Sequence, residues 1–227
     1  MNKDLLFKYL DDTYNKNKHL FTYRYFKAIK KIFNNIEVSE QLTDLALIKT
    51  LNPYTQDYDL GDFGLYHIDF NIKHLLYLID NDQIQLESYE SSKVNFNMIY
   101  HEYPDFFNIS VNYNSKIIIT DFITKDCYYT IIDGNHTFEK YLLENKQFNI
   151  YYLPFYQIPR SCYCNDFSYV FHYIINEFYL IFYEEQDINR KKQLIKNSKI
   201  FFMVKELLWF FSASNHNKMT LLFLQFF

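Results

Sequence analysis

Only three of the 227 residues are glycine, Gly61, Gly64 and Gly134. A chain this poor in glycine has few places where its backbone can take a left-handed turn or approach another segment closely without a side chain in the way. Two of the three fall together in Leu60-Gly61-Asp62-Phe63-Gly64, and the third stands alone between Asp133 and Asn135. The scarcity is part of a wider bias, with 23 Tyr and 24 Phe against four Pro. Such a bias favours residues with A/T-rich codons, so the aromatic excess reads as a genome-composition effect in which rings fill core positions. Apolar residues make up 49% of the chain, enough for a sizeable core, which excludes disorder as the main state.

Charge narrows the function classes. The balance of 23 Lys and Arg against 27 Asp and Glu gives a net charge of −4, so no global field draws the chain to phosphate backbones or anionic lipid. Nucleic-acid binding is therefore disfavoured. Cys127, Cys162 and Cys164 cannot all pair, which fits a reduced, cytoplasmic setting. Charged residues from Lys3 to Asp12 interrupt the amino terminus, so no signal peptide is expected. Phe167–Tyr183 and Ile200–Phe211 are the most apolar stretches, but polar residues break both, and buried helices are expected rather than membrane spans. The apolar tail Leu221–Phe227 is too short to span and is expected to dock on the fold, on a protein partner or on a second copy.

The pattern along the chain is that of an α+β protein in three parts. Residues 1–50 read as helices at Leu5–Leu10, Phe21–Ile32 and Val38–Ile48. Asn52-Pro53 stops that pattern and opens a central domain over 51–158. There Ile72, Leu75, Leu76 and Ile79 mark an amphipathic helix over Asn71–Asn81, capped by Asp69 or Asn71. A strand is expected at Gln83–Tyr89, then a hairpin of Ile117–Ile119 and Tyr128–Ile132 turning at Thr124-Lys125-Asp126. A helix carrying Phe138, Tyr141 and Leu142 ends at Asn145, and a strand follows over Phe148–Phe155. Residues 159–227 return to helices, Asp166–Glu184 and Ile188–Phe211, which pack on the central domain. The second opens with Arg190, Lys191, Lys192, Lys196 and Lys199, read as a solvated face, with a phosphate-binding surface as the alternative.

One segment joins several chemistry-bearing residues. In Ile131-Ile132-Asp133-Gly134-Asn135-His136-Thr137 a glycine sits where a β-branched run gives way to a helix. A helix starting there presents amide hydrogens and a positive dipole end, worth about 0.3 to 1 kcal/mol to a bound anion. Phosphate is the natural guest. His136 would contact its oxygens or move a proton, and Asp133 would hold a metal, orient His136 or accept a proton. The plain alternative is an Asp-Gly turn with Asp133 or Asn135 as a helix cap.

These residues resemble the "(I/V)-(I/V)-D-G-x-H-R" signature of the ParB/sulfiredoxin-like superfamily, within a matching order of hairpin, turn, helix and strand over Lys116–Phe155. The resemblance implies a small mixed-sheet domain, flanked here by helices, and a nucleotide-phosphate site at Gly134, Asn135, His136 and Thr137, with Asp133 and His136 in catalytic roles. ATP, ADP or CTP with Mg2+ is the implied ligand, and phosphoryl transfer or nucleotide hydrolysis the implied chemistry. Two departures stand out. Thr137 occupies the arginine position and lacks a charge-assisted bond worth about 1.5 to 3 kcal/mol. Asn135 occupies the place of the cysteine that sulfiredoxin chemistry needs. Whether the chain is an enzyme stays open: a catalytically degenerate interaction module, or a DNA-binding or nuclease protein by family analogy, are the alternatives.

Other candidates are weaker. Cys162-x-Cys164 with His172 falls short of a zinc ligand set, His67 and Asp69 share one face of a strand, His74 and His101 look isolated, and Gly61 with Gly64 lacks the pattern of a dinucleotide loop.

Overall fold

In the computed structural model the described residues are 3–20, 22–40, 53–101, 115–124 and 127–203. Of the expected helix Val38–Ile48 only the first three residues are described, as the end of a helix that begins at Tyr23; the rest of it, the Asn52 side of the proline stop, turn residues 125 and 126, and the tail 204–227 lie outside the described residues. The described residues form α-helices together with mixed β-structure, an α+β fold with helices flanking the sheet at either end of the chain. None of these helices is long and apolar enough to cross a membrane.

The chain divides into two compact units, Met1–Leu47 with Asp57–Ile68 and Asn165–Phe227, and Ile48–Gln56 with Asp69–Cys164. Strands β1 (Tyr54–Asp59) and β2 (Leu65–Phe70) pair in a two-stranded sheet, and each passes from one unit into the other. Strand β1 has no counterpart in the sequence reading. Its inward positions are Gln56 and Tyr58, so an apolar alternation never appears.

The helical unit is built on α1 (Lys3–Lys16), α2 (Tyr23–Glu40), α5 (Asp166–Tyr179) and α6 (Ile188–Lys196). Leu6, Leu10 and Thr13 line one stripe of α1, and Ile29, Ile32, Phe33 and Ile36 one stripe of α2. Rings fill the centre: Tyr25 stacks on Phe178 at 5.8 Å, and Phe26 meets Phe178 edge-on at 5.3 Å. Within this apolar setting the Glu177 carboxylate accepts the Tyr25 hydroxyl at 2.5 Å and the Ser198 hydroxyl at 2.6 Å. Helix α5 passes into a π-helical turn, Leu180–Glu184. The single helix expected over Ile188–Phe211 is instead interrupted after Lys196. The reason lies at Ser198, whose side chain accepts the Ile200 amide at 3.1 Å and so starts a new helical turn there.

The second unit holds a five-stranded sheet in the order β3 (Glu87–Glu90), β7 (Asn149–Leu153), β5 (Ile117–Asp121), β6 (Tyr129–Asp133), β4 (Ile99–Tyr100). β3 pairs antiparallel with β7, β7 parallel with β5, β5 antiparallel with β6 and β6 parallel with β4. β3 starts later than the expected Gln83–Tyr89. Its four residues are all exposed, so burial left no periodic mark there. The central strands β5 and β6 are buried almost throughout, as expected of strands covered on both faces. Helix α3 (Ile72–Asp80) precedes the sheet and is capped by Asn71, whose side chain accepts the His74 amide. Helix α4 (Asn135–Leu143) joins β6 to β7 and inserts Phe138 among Ile99, Ile117, Ile119, Ile131 and Ile150. Burying a side chain of that size contributes about 1.5 to 3 kcal/mol, which anchors α4 to one face of the sheet.

Candidate functional site

The β6–α4 junction is shaped by two local irregularities. Along the hairpin the register advances by one residue on β5, from Ile118 to Ile119, while it advances by two on β6, from Ile131 to Asp133. Ile132 is thus the extra residue of a bulge, a device that re-aims the end of a strand. Gly134 follows with φ +87°, in the left-handed region, and serves as the N-cap of α4. A Cβ on Gly134 would stand 2.6 Å from the Lys116 carbonyl oxygen and 2.9 Å from the Ile117 Cα. Glycine is needed here twice over, for the torsion and for the approach of two backbones. The space left by the missing side chain is occupied by the chain's own start of β5.

The helix end itself is differently placed. Helices α3, α5 and α6 are capped by the side chains of Asn71, Asn165 and Asp187. Helix α4 has no side-chain cap. Its first internal bond runs from the Phe138 amide to the Gly134 carbonyl at 2.9 Å, and the amides of Asn135 and His136 meet no acceptor among the described residues. Both residues are partly exposed, as are Asp133 and Gly134. His136 forms no hydrogen bond or ion pair among the described residues, so its imidazole is available to a ligand.

Asp133 is the last residue of β6. Burial raises its carboxyl above the ordinary range, and a hydrogen bond from the Gly134 amide opposes that rise. A carboxyl so placed is suited to taking or giving a proton. Thr137 points inward, 1% exposed, with its hydroxyl 2.5 Å from that of Ser115. The structure thus gathers Asp133, Gly134, Asn135 and His136 on one accessible turn and commits the Thr137 hydroxyl to the interior.

Behind the turn runs a polar chain that sequence reasoning missed. Asn135 Nδ2 donates to the Tyr54 hydroxyl at 3.4 Å, and Tyr54 donates to Gln56 Oε1 at 3.2 Å. Thr130 of β6 donates to the same Gln56 oxygen at 2.6 Å, with both Thr130 and Gln56 fully buried. Asn135 Oδ1 is buried and meets no donor among the described residues. One turn into α4, Glu139 Oε1 lies 2.6 Å from His101 Nε2, outside hydrogen-bond alignment, and the His101 ring meets Phe138 edge-on. Neither feature leaves a local signal, because each joins residues far apart in sequence.

Elsewhere the side chains are accounted for by the fold. His67 pairs with Asp57 at 2.6 Å on the exposed face of the hairpin, and Asp69 accepts the Thr55 hydroxyl. His74 lies 3.1 Å from the Ser161 hydroxyl. Burial pushes the Cys162 thiol up to about 12, and burial with the nearby Asp69 pushes Cys164 up to about 11, which suppresses thiolate chemistry. Among the described residues no three His, Cys, Asp or Glu side chains gather as metal ligands. Asp133 is a lone carboxylate, a donor set that fits Mg2+ only where phosphate oxygens and water complete the shell. Comparison with protein-family models, with curated proteins and with solved structures finds no match to this chain.

Proposed function

We propose that the protein binds a phosphate ester, a nucleotide such as ATP, ADP or CTP, at the turn from Asp133 to His136. The observation that carries this reading is the uncapped start of α4, where the Asn135 and His136 amides and the unengaged His136 imidazole stand together. Amide hydrogens at a helix start favour an anion through both hydrogen bonds and dipole. The resemblance to the ParB/sulfiredoxin-like superfamily is supported by the pairing of its segment: β5 and β6 form the antiparallel hairpin, α4 follows Gly134, and β7 returns parallel to β5. Gly134 and Thr137 position the turn, Asn135 and His136 contact the phosphate, and Asp133 handles the proton or a phosphate-bound Mg2+. Nucleotides and reduced thiols share the cytoplasm, the compartment that suits this reading. The Thr137 hydroxyl, bound to Ser115 where the signature carries arginine, favours binding without turnover, the interaction-module form of the same site.

Thermal denaturation with ATP, ADP and CTP, with and without Mg2+, tests the proposal. Saturation at a hundredfold over Kd stabilises a protein by about 2.7 kcal/mol, a rise of several degrees. At least one nucleotide is expected to give that rise, and His136→Ala to remove it while leaving the unliganded melting temperature unchanged. No rise with any nucleotide overturns the proposal. A rise without phosphate release assigns binding alone; release lost in Asp133→Asn assigns turnover.

A further inference from the structure

A phosphate at the start of α4 leaves two oxygens on the flank of that helix without donors. Asn135 and Glu139, four residues apart, lie one above the other on α4, between the inward Phe138 and the accessible His136, all within the second unit. Each presents a buried acceptor that meets no aligned donor among the described residues, Asn135 Oδ1 and Glu139 Oε1. Glu139 is the sharper case. Its side chain is only 8% exposed, a carboxylate accepts hydrogen bonds and donates none, and His101 Nε2, at 2.6 Å, stands out of alignment. Side chains of an α-helix lean toward its N-terminus, so Glu139 reaches back over Asn135 and His136, toward the end that carries the free amides.

A buried oxygen left without a donor is costly, and such an exception calls for a partner that the chain does not itself supply. That partner has to bring N–H or O–H groups, and the helix sets how far from the phosphate they stand. Four residues rise about 6 Å. In a nucleotide the sugar hydroxyls lie within about that distance of the 5′-phosphate, whereas the donors of the base edge lie beyond the sugar. Inorganic phosphate would satisfy the amides and leave both oxygens unpaired. An acidic side chain that accepts ribose hydroxyls, beside a helix start that holds the phosphate, is a general solution to nucleotide binding.

We infer that Asn135 and Glu139 form a sugar subsite beside the phosphate turn, so that the ligand is a ribonucleotide whose 2′- and 3′-hydroxyls donate to Asn135 Oδ1 and Glu139 Oε1. This subsite rests on the phosphate-ester reading of the turn, and the test separates the two. Isothermal titration of the full chain compares ATP, ADP and CTP, each with Mg2+, with the 2′,3′-dideoxy form of each. The ribonucleotide that binds is expected to do so at least about tenfold more tightly than its dideoxy form, the loss that follows from removing a hydrogen bond to a charged acceptor. Asn135→Ala keeps the backbone amide and removes Oδ1, and Glu139→Gln keeps the shape and one oxygen without the charge. Each is expected to narrow the ratio by about three- to tenfold, with binding of the dideoxy form little changed. Glu139 is buried, so the comparison of ligands on the unaltered chain decides the matter even where this variant loses stability. Equal affinity for a ribonucleotide and its dideoxy form overturns the sugar subsite, leaves the two oxygens to ordered water and leaves the phosphate reading standing. Binding of none of these ligands overturns both. A preference for the ribonucleotide that survives both substitutions unchanged overturns the assignment to Asn135 and Glu139.

Discussion

At Gly134 a single missing side chain decides both the backbone path and what the site has to offer. Its φ of +87° lies where L side chains are strained by about 1 to 2 kcal/mol, and a Cβ there would press against the Lys116 carbonyl at 2.6 Å. Because backbone cannot swing aside as a flexible side chain does, Gly134→Ala is expected to cost about 2 to 4 kcal/mol, more than torsion alone, measurable as a shift in urea midpoint. A loss below about 1 kcal/mol would mean that β5 and α4 separate easily, and that the glycine serves ligand access rather than packing. His136, two residues on, has no such structural duty, which is why its replacement by alanine separates binding from folding. Sequence reasoning finds the unusual glycine from its rarity and its Asp-Gly setting. It does not reveal that Lys116 fills the vacated space, since that contact joins positions eighteen residues apart.

Among the elements, α4 carries both the site and the anchor of the sheet, and the two demands fall on successive pairs of residues. Phe138 and Thr137 face inward, and Asn135 and His136 border the accessible turn. Restoring the signature's arginine by Thr137→Arg therefore does not add a phosphate contact. It forces a guanidinium into a place 1% exposed and breaks the bond to Ser115, so the expected result is a stability loss of more than about 2 kcal/mol with no gain in nucleotide affinity. Calorimetry with the variant checks this, and tighter nucleotide binding by Thr137→Arg would show that the helix start has room the structure does not suggest. Elements with a strong period or an Asx cap, α3 with Asn71 and α5 with Asn165, are legible from residues alone, as is the β-branched hairpin of β5 and β6. Strand β1 is not, because Gln56 points inward to satisfy Thr130, and a polar inward residue erases the alternation by which strands are read. The break after α6 is hidden for the same reason. Ser198 turns inward to Glu177 and caps the next turn, while the apolar period runs on past it.

For the whole chain, buried carboxyls set the pH dependence of stability. Burial raises Asp121, Asp133 and Glu177, although each accepts hydrogen bonds that oppose the rise. An acid whose folded pKa is raised holds its proton more tightly in the native state than in the unfolded one. Its contribution is therefore complete below the unfolded carboxyl pKa, near about 4, and is lost as pH rises through the folded value. The three groups lie in both units and act in the same direction. Glu144, lowered by Lys146, acts in the opposite direction, but that pair is exposed and screened by solvent. Stability is thus expected to decline from mildly acidic pH toward neutrality, with a slope of at most about 1.4 kcal/mol per pH unit for each titrating carboxyl. Glu177→Gln keeps an oxygen for Tyr25 and Ser198 but removes the titration, so urea denaturation of this variant between about pH 4.5 and 7.5 should show a shallower decline than the parent. Parallel curves would mean that the unfolded chain holds Glu177 in a similar environment, and a stability that climbs across this window would reverse the sign assigned to all three groups.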